Sequence, residues 1–228
     1  MNNDVKKLFD AKSDYDERRD KYYFERRTRE LEKLLSTLPR KSRILDVGCG
    51  TGIAAHFIRN CGFPRVFGSD ISRTLLLAAL QKNINVVLTG EIALPFRSSS
   101  FDIVTMFDVV EHMDSYWENL REVHRILAPN GVVFISYPNP HMIWLLDMLA
   151  LVGLKIPGKE NRVPLEEIRN KTERLFAVET FRPIVLVSKL PGAILRLFEA
   201  LERIMPRFLL KRIALSYTLT LRKIQNVK

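Results

Sequence analysis

The sequence predicts an α/β chain built on one doubly wound, mostly parallel sheet. Three features carry that expectation. Short apolar runs alternate with helical stretches between residues 43 and 140. The runs show little period-two alternation, as in strands buried on both faces. The first run, "RILDV", leads directly into "GCGTG", with Gly48, Gly50 and Gly52 at every second position. Glycine loses more backbone entropy on folding than any other residue, so such a cluster calls for a tight turn or for a ligand touching the backbone.

The elements follow in order. Residues 13–37 read as a helix, charged throughout, with Tyr22, Tyr23, Leu31, Leu34 and Leu35 among its apolar points and Pro39 beyond its end. "RILDV" is a strand, and "TGIAAHFIRNCG" a helix stopped at Gly62. "RVFGSD" is the second strand, and Ser72 can cap the helix "RTLLLAALQK" that follows. "INVVLTG" and "FDIVTMFDV" are the third and fourth strands, "SYWENLREVHRIL" is a helix, and "GVVFISY" is the fifth strand after the turn "APNG". Right-handed crossovers then gather the loops after the strands at one edge, where doubly wound sheets bind ligands.

Composition narrows the class. The chain has 228 residues, 46% hydrophobic and 27% charged, which excludes a disordered chain and suits one substantial core. Cys49 and Cys61 form neither a disulfide framework nor a zinc pattern, as expected in a reducing cytoplasm. Residues 1–10 carry Asp4, Lys6 and Lys7, so no signal peptide is expected. "MIWLLDMLALVGL" is too short to span a bilayer and holds Asp147. The net charge of +10 divides unevenly: +4 over residues 1–43, −3 over 44–154 and +9 over 155–228. A basic excess confined to the flanks points to an anionic surface or substrate beside the core.

The glycine loop excludes two ligand classes. Gly52 is followed by Ile53 rather than by the Lys-Ser/Thr of a phosphate-gripping loop. The glycines run G-x-G-x-G, without the third spacing of the dinucleotide fingerprint. Asp70, 22 residues after Gly48, ends the second strand, where an acid can accept hydrogen bonds from both hydroxyls of a ribose. A nucleoside without phosphates satisfies both observations.

With these residues in view, the chain resembles the class I S-adenosylmethionine-dependent methyltransferases, in the branch of quinone and other small-molecule methylases. The resemblance covers about residues 8–140 and consists of several ordered motifs. "LDVGCGTG" resembles the family's cofactor loop, "GSDIS" its ribose-binding acid, and "GEIALPFRSSSFDIV" its stretch from the adenine site into the fourth strand. "LREVHRILAPNGVVFISYPNP" resembles its helix and fifth strand, and "LFDAKSDYDERR" its amino-terminal segment that folds over the cofactor. The resemblance implies a Rossmann-like methyltransferase fold of seven strands with an antiparallel last strand, and S-adenosylmethionine as cofactor. It implies that Gly48, Gly50 and Gly52 admit the methionine part and that Asp46 meets its amino group. Asp70 would take the ribose hydroxyls and Ile71 would lie against the adenine. Glu91 stands where the branch usually has the aspartate of "GDA", so its contact to the adenine amino group departs in length.

Catalytic candidates lie in "FDVVEHM" after the fourth strand: Asp108, and His112 as the group that titrates near neutrality. The alternative is that Glu111 and His112 merely start the next helix. Asp108, Glu111 and His112 also resemble the Glu-x-x-Glu-His of metal-dependent quinone O-methylases, but aspartate replaces the first glutamate, and no metal is expected. Tyr137 and Asn139 of "YPNP" either face the acceptor or form a proline-rigid turn.

The acceptor side begins after residue 140. "HMIWLLDMLALVGL" and "PGAILRLFEALERIMPRFLLKR" are apolar and basic; the second spaces Ile194, Leu197, Phe198, Leu201 and Ile204 as a helix face, and Pro206 kinks or ends it. They read either as helices packed on the core or as a lid and interfacial helix drawn to anionic membranes by Lys211 and Arg212. "RIALSYTLTLRK" reads as the last strand. The organisation expected is an amino-terminal helical cap (1–42), a cofactor-binding core (43–140), and substrate-side helices with the final two strands (141–228). The function expected is methyl transfer to a small apolar, lipid- or quinone-like acceptor in the cytoplasm, with peripheral membrane contact in the interfacial reading and with no DNA partner. Two alternatives stand beside it: an RNA or protein methyltransferase using the basic flanks, and a non-catalytic S-adenosylmethionine-binding protein.

Overall fold

A computed structural model describes residues 21–151, 161–184, 196, 199–200, 202 and 204–225. The parallel strands are β1 (Ile44–Val47), β2 (Val66–Asp70), β3 (Asn85–Leu88), β4 (Phe101–Phe107) and β5 (Leu127–Pro138). β6 (Phe176–Ile184) and β7 (Ser216–Lys223) complete a seven-stranded sheet in the order β3-β2-β1-β4-β5-β7-β6. β7 runs antiparallel to both its neighbours, so it alone opposes the other six. The order reverses between β1 and β4, and the crevice beyond their carboxyl ends is where such sheets take ligands.

The helices are α1 (Lys21–Leu35), α2 (Ile53–Asn60), α3 (Arg73–Gln81), α4 (Tyr116–Ile126), α5 (Ile143–Leu151), α6 (Leu165–Thr172) and α7 (Arg207–Ile213), with a 3-10 turn at Val110–His112. On one sheet face Leu31 and Leu35 of α1 and Ala54, Ala55 and Ile58 of α2 pack against Ile44, Val66, Ile103 and Phe134. On the other, Leu120, Val123 and Ile126 of α4 and Ile168 of α6 pack against Val104, Val133, Ile135 and Leu219. This is why the central strands read as unbroken apolar runs. β3 is an edge strand whose residues stay half-buried or exposed.

The expected caps form. The Leu75 amide donates to Ser72 Oγ at 3.2 Å at the start of α3, and Gly62 adopts φ +92° just beyond α2. Two final strands and further helices were expected after residue 140, but the sequence did not place α6 or β6: α6 exposes most of its charged turn, and β6 is largely exposed at the sheet's end. "RIALSYTLTLRK" divides into the end of α7 and β7. Pro206, at φ −58° and ψ 138°, breaks the helical path and opens α7. Of the second apolar insert, Arg196, Glu199, Ala200, Glu202 and Ile204 are helical, whereas Ile194, Leu197, Phe198 and Leu201 lie outside the described residues, as does "LFDAKSDYDERR". Among the described residues no helix is long and apolar enough to cross a membrane.

Candidate active site

The three glycines of the loop after β1 all adopt left-handed conformations, with φ of +67° at Gly48, +52° at Gly50 and +78° at Gly52. Their surroundings differ. A Cβ on Gly48 would lie 2.5 Å from a methyl carbon of Val109, and one on Gly52 would lie 2.9 Å from the Ala79 Cβ. These two positions are demanded by packing. Among the described residues, a Cβ on Gly50 would meet only Leu75 Cδ1, at 3.8 Å. Gly50 is thus the point at which the loop leaves room for a ligand.

Asp70 terminates β2 facing this loop. Its Oδ2 accepts the Gly50 amide at 2.8 Å and its Oδ1 accepts the Ser72 amide at 2.8 Å. The carboxylate therefore braces the glycine loop. A carboxylate, which accepts and never donates when ionised, is the group type that takes ribose hydroxyls. Ile71 follows, half-buried. Asp46 lies within β1, buried, where Thr105 Oγ1 of β4 donates to its Oδ1 at 2.7 Å. Cys49 is also buried; burial, with Asp46 and Asp70 nearby, pushes its thiol well above the ordinary range and keeps it protonated. Gly68 of β2 makes room for it, since a Cβ there would lie 2.6 Å from Cys49 Sγ.

Glu91 lies apart from the loop. Its Oε1 accepts the Asp114 amide at 2.9 Å and its carbonyl accepts Asn119 Nδ2 at 2.6 Å, tying the segment after β3 to the start of α4. The extra methylene relative to aspartate is what lets the carboxylate reach that backbone amide.

Asp108 follows β4 at φ +54°, an uncommon conformation that aspartate tolerates better than most residues. Its amide donates to the Ser136 carbonyl at 2.9 Å, and its carboxylate pairs with Arg27 of α1. The 3-10 turn then carries Glu111, buried, and His112, half-buried, whose amide donates to the Val109 carbonyl at 3.0 Å. Among the described residues no group of three or more His, Cys, Asp or Glu is placed to hold a metal ion.

Tyr137 and Asn139 are both fully buried. The Tyr137 ring stands edge-on to Tyr217 at 5.6 Å, and burial raises its phenol far above the ordinary range. Asn139 Nδ2 donates to the carbonyls of Ala214 at 2.7 Å, Lys211 at 3.1 Å and Arg212 at 3.4 Å, while its Oδ1 accepts the His141 amide at 3.0 Å. It joins the end of α7 to the approach to α5. The turn reading of "YPNP" describes this residue, and its amide is committed to backbone.

Arg27, Ser136 and Thr105 were not among the sequence candidates. The readable signal for Arg27 was its position: it shares a helix stripe with Leu31 and Leu35, so a cation stands on the face that α1 buries.

A family model described as a methyltransferase domain matches residues 15–175. The chain belongs to this methyltransferase family. A demethylmenaquinone methyltransferase of Chlorobaculum parvum is 32% identical over 159 residues, covering 64% of each chain. The ubiquinone/menaquinone biosynthesis C-methyltransferase UbiE of Cereibacter sphaeroides is 26% identical over 130 residues, covering 51% of this chain and 52% of the relative. The chain thus spans between half and two thirds of these relatives' lengths. A chain from the complex of the Haloferax volcanii Trm112 methyltransferase activator with a methyltransferase superposes with a TM-score of 0.70 at 20% identity, covering 98% of this chain and 99% of that one. The fold is that of the S-adenosylmethionine-dependent methyltransferases, and family and fold together imply S-adenosylmethionine as the cofactor. Among the described residues, the room left at Gly50 beside the Asp70 carboxylate fits that group.

Proposed function

We propose that the chain transfers a methyl group from S-adenosylmethionine to a small apolar, quinone- or lipid-like acceptor. When bound, S-adenosylmethionine supplies a methyl group already activated as a sulfonium. Gly50 admits it to the loop that Gly48 and Gly52 shape, Asp46 meets its amino group, Asp70 takes the ribose hydroxyls, and Ile71 and Glu91 flank the base. Asp108 orients the acceptor's polar group and His112 accepts its proton. Holding the acceptor in a near-attack geometry can supply ~7–11 kcal/mol of the barrier.

The observation that carries the apolar acceptor is the surface beside the carboxyl edge. α5 exposes Trp144 (55%), Met148 and Leu151 (87%), and α7 exposes Phe208 (74%) and Leu209 among Arg207, Lys211 and Arg212. Asn139 brings the two elements together. Such a face suits peripheral contact with an anionic membrane holding an apolar acceptor. Part of the remaining basic charge is paired within the fold: Arg26 and Arg29 pair with Glu199, Arg43 with Asp102, and Arg222 with Glu179.

The test uses demethylmenaquinol and S-adenosylmethionine with vesicles of phosphatidylcholine alone or containing phosphatidylglycerol. The expected result is methylated quinol, with turnover and vesicle binding higher on the anionic vesicles, falling as salt rises, and reduced by Phe208→Ser with Leu209→Ser. Equal turnover without vesicles would remove the membrane contact, and transfer to RNA in place of quinol would replace the acceptor.

A further inference from the structure

We propose that Arg27 is a positioning residue: from the amino-terminal helix it holds Asp108 charged and aimed at the acceptor. The inference rests on the reading of Asp108 as the acceptor-side carboxylate.

Arg27 is 1% exposed, among the largest wholly buried side chains of the molecule. Burying a guanidinium carries a heavy desolvation cost that only close partners offset. Among the described residues its polar partners are Asp108, Ser136 and the Tyr23 carbonyl. The guanidinium pairs with Asp108 Oδ1 and donates to Ser136 Oγ at 3.1 Å, and its Nε donates to the Tyr23 carbonyl at 3.3 Å. It stacks on the Tyr23 ring at 3.9 Å and faces the Phe107 ring at 5.9 Å. Burial opposes its charge, but the adjacent Asp108, by charge and by hydrogen bond, more than compensates, so it stays protonated.

The two members of the pair are unequally placed. Arg27 is sealed, whereas the Asp108 side chain keeps 27% exposure at the carboxyl end of β4. A pair serving cohesion alone has no need of an open member, because a buried ion pair can often be replaced by packed apolar groups at no loss. Asp108 is also held in a left-handed conformation, and its neighbour Val109 fills the space above Gly48. Strained backbone of this kind persists where the surroundings over-determine it, and it clusters at functional sites. Backbone and guanidinium together fix the carboxylate at the carboxyl end of β4, next in the chain to the Val109 that packs on the cofactor loop.

α1 is a firm post for this purpose. Leu31 and Leu35 anchor it in the core, and Arg26 and Arg29 pair outward with Glu199, with Arg26 also reaching Glu202. Because arginine does not release its proton, Asp108 remains an acceptor of hydrogen bonds. The other titratable groups facing Arg27 are Tyr23 of α1 and Glu111 of the 3-10 turn, with His112 next to Glu111 in the chain. Burial raises the Tyr23 phenol above the working range, so it stays neutral.

The test compares Arg27→Met, Arg27→Lys, Asp108→Asn and Arg27→Met/Asp108→Asn. Three quantities are read: S-adenosylmethionine affinity by calorimetry, carboxyl titration by NMR of carbon-13 aspartate-labelled protein, and turnover of demethylmenaquinol. Asp108→Asn keeps the left-handed backbone tolerable and assigns the Asp108 resonance. In Arg27→Met, cofactor affinity should stay within about twofold, Asp108 should titrate at higher pH, and kcat should fall about 10–100-fold, the loss of one charge-assisted hydrogen bond. Arg27→Lys should recover part of the titration and the rate, and the double variant should be no slower than Asp108→Asn. An unshifted Asp108 titration, additive losses in the double variant, or a fall in cofactor affinity equal to the fall in kcat would overturn the proposal. Should Arg27→Met not fold, Arg27→Lys carries the same titration. If the unmodified protein binds S-adenosylmethionine but leaves the quinol unmethylated, the acceptor reading fails, and the titration still decides on Arg27.

Discussion

Alanine at Gly48 and at Gly50 should separate what the loop owes to packing from what it owes to a ligand. Both positions are left-handed, which costs a side-chain-bearing residue ~1–2 kcal/mol. At Gly50 the backbone cost stands alone, because among the described residues the new methyl meets only Leu75, at 3.8 Å. At Gly48 the methyl would lie 2.5 and 2.9 Å from the two methyl carbons of Val109, which adds an overpacking cost of ~1–3 kcal/mol. A change of 1 kcal/mol moves the melting temperature of a chain this size by ~2–4 °C. Gly50→Ala should therefore melt ~2–8 °C lower and Gly48→Ala ~4–20 °C lower, as judged from these costs. Val109→Ala should restore much of the Gly48→Ala loss and none of the Gly50→Ala loss. Calorimetry with S-adenosylmethionine should show the reverse emphasis, with Gly50→Ala losing at least tenfold in affinity although it folds. Equal melting temperatures for the two variants, or unchanged cofactor affinity in Gly50→Ala, would refute the assignment of Gly50 to ligand space.

Other outcomes follow from the same geometry. Asp70→Ala removes the acceptor of the Gly50 and Ser72 amides; hydrogen bonds to charged groups contribute ~1.5–3 kcal/mol, so S-adenosylmethionine affinity should fall at least tenfold by calorimetry. Asn139→Ala leaves buried carbonyls at the end of α7 unpaired and should destabilise the fold by ~1–3 kcal/mol in urea titrations. The His124 imidazole is held below its ordinary range by burial and by Lys223. It is therefore neutral in the fold at pH values where the unfolded chain binds a proton. Stability should be full above about pH 6.5 and decline as pH falls below it. Urea titrations between about pH 7.5 and 5 should show that decline, and His124→Gln should reduce it.

Much of this organisation was legible in the chain itself. Unbroken apolar strands reported a sheet covered on both faces, and the glycine loop with Asp70 reported the edge at which a nucleoside would sit. What escaped were features set by tertiary contact. The exposed β6 carries no run of buried residues, and α6 is a short charged helix, so neither gave a strong periodic signal. Arg27 looked like one charge among many on a charged helix; only the approach of Asp108 and Ser136 from β4 and β5 gives it a role. Asn139 read as a turn or an acceptor contact because its partners lie some 70 residues later, in α7. Glu91 was legible as a motif position, whereas its hold on the Asp114 amide was not. Gly68 gave no sequence hint that it clears space for Cys49.

The central claim is methyl transfer to an apolar acceptor at the edge that carries Asp70 and Asp108. Its most direct test is to incubate the protein with S-adenosylmethionine labelled in the methyl group and a whole-cell extract, then divide the products among lipid, aqueous small-molecule, RNA and protein fractions. The account predicts label in the lipid fraction, nearly abolished by Asp70→Ala and strongly reduced by Asp108→Asn, which keeps its cofactor affinity. Label confined to RNA, protein or the aqueous fraction would contradict the acceptor, and no transfer by a protein that binds S-adenosylmethionine would contradict catalysis.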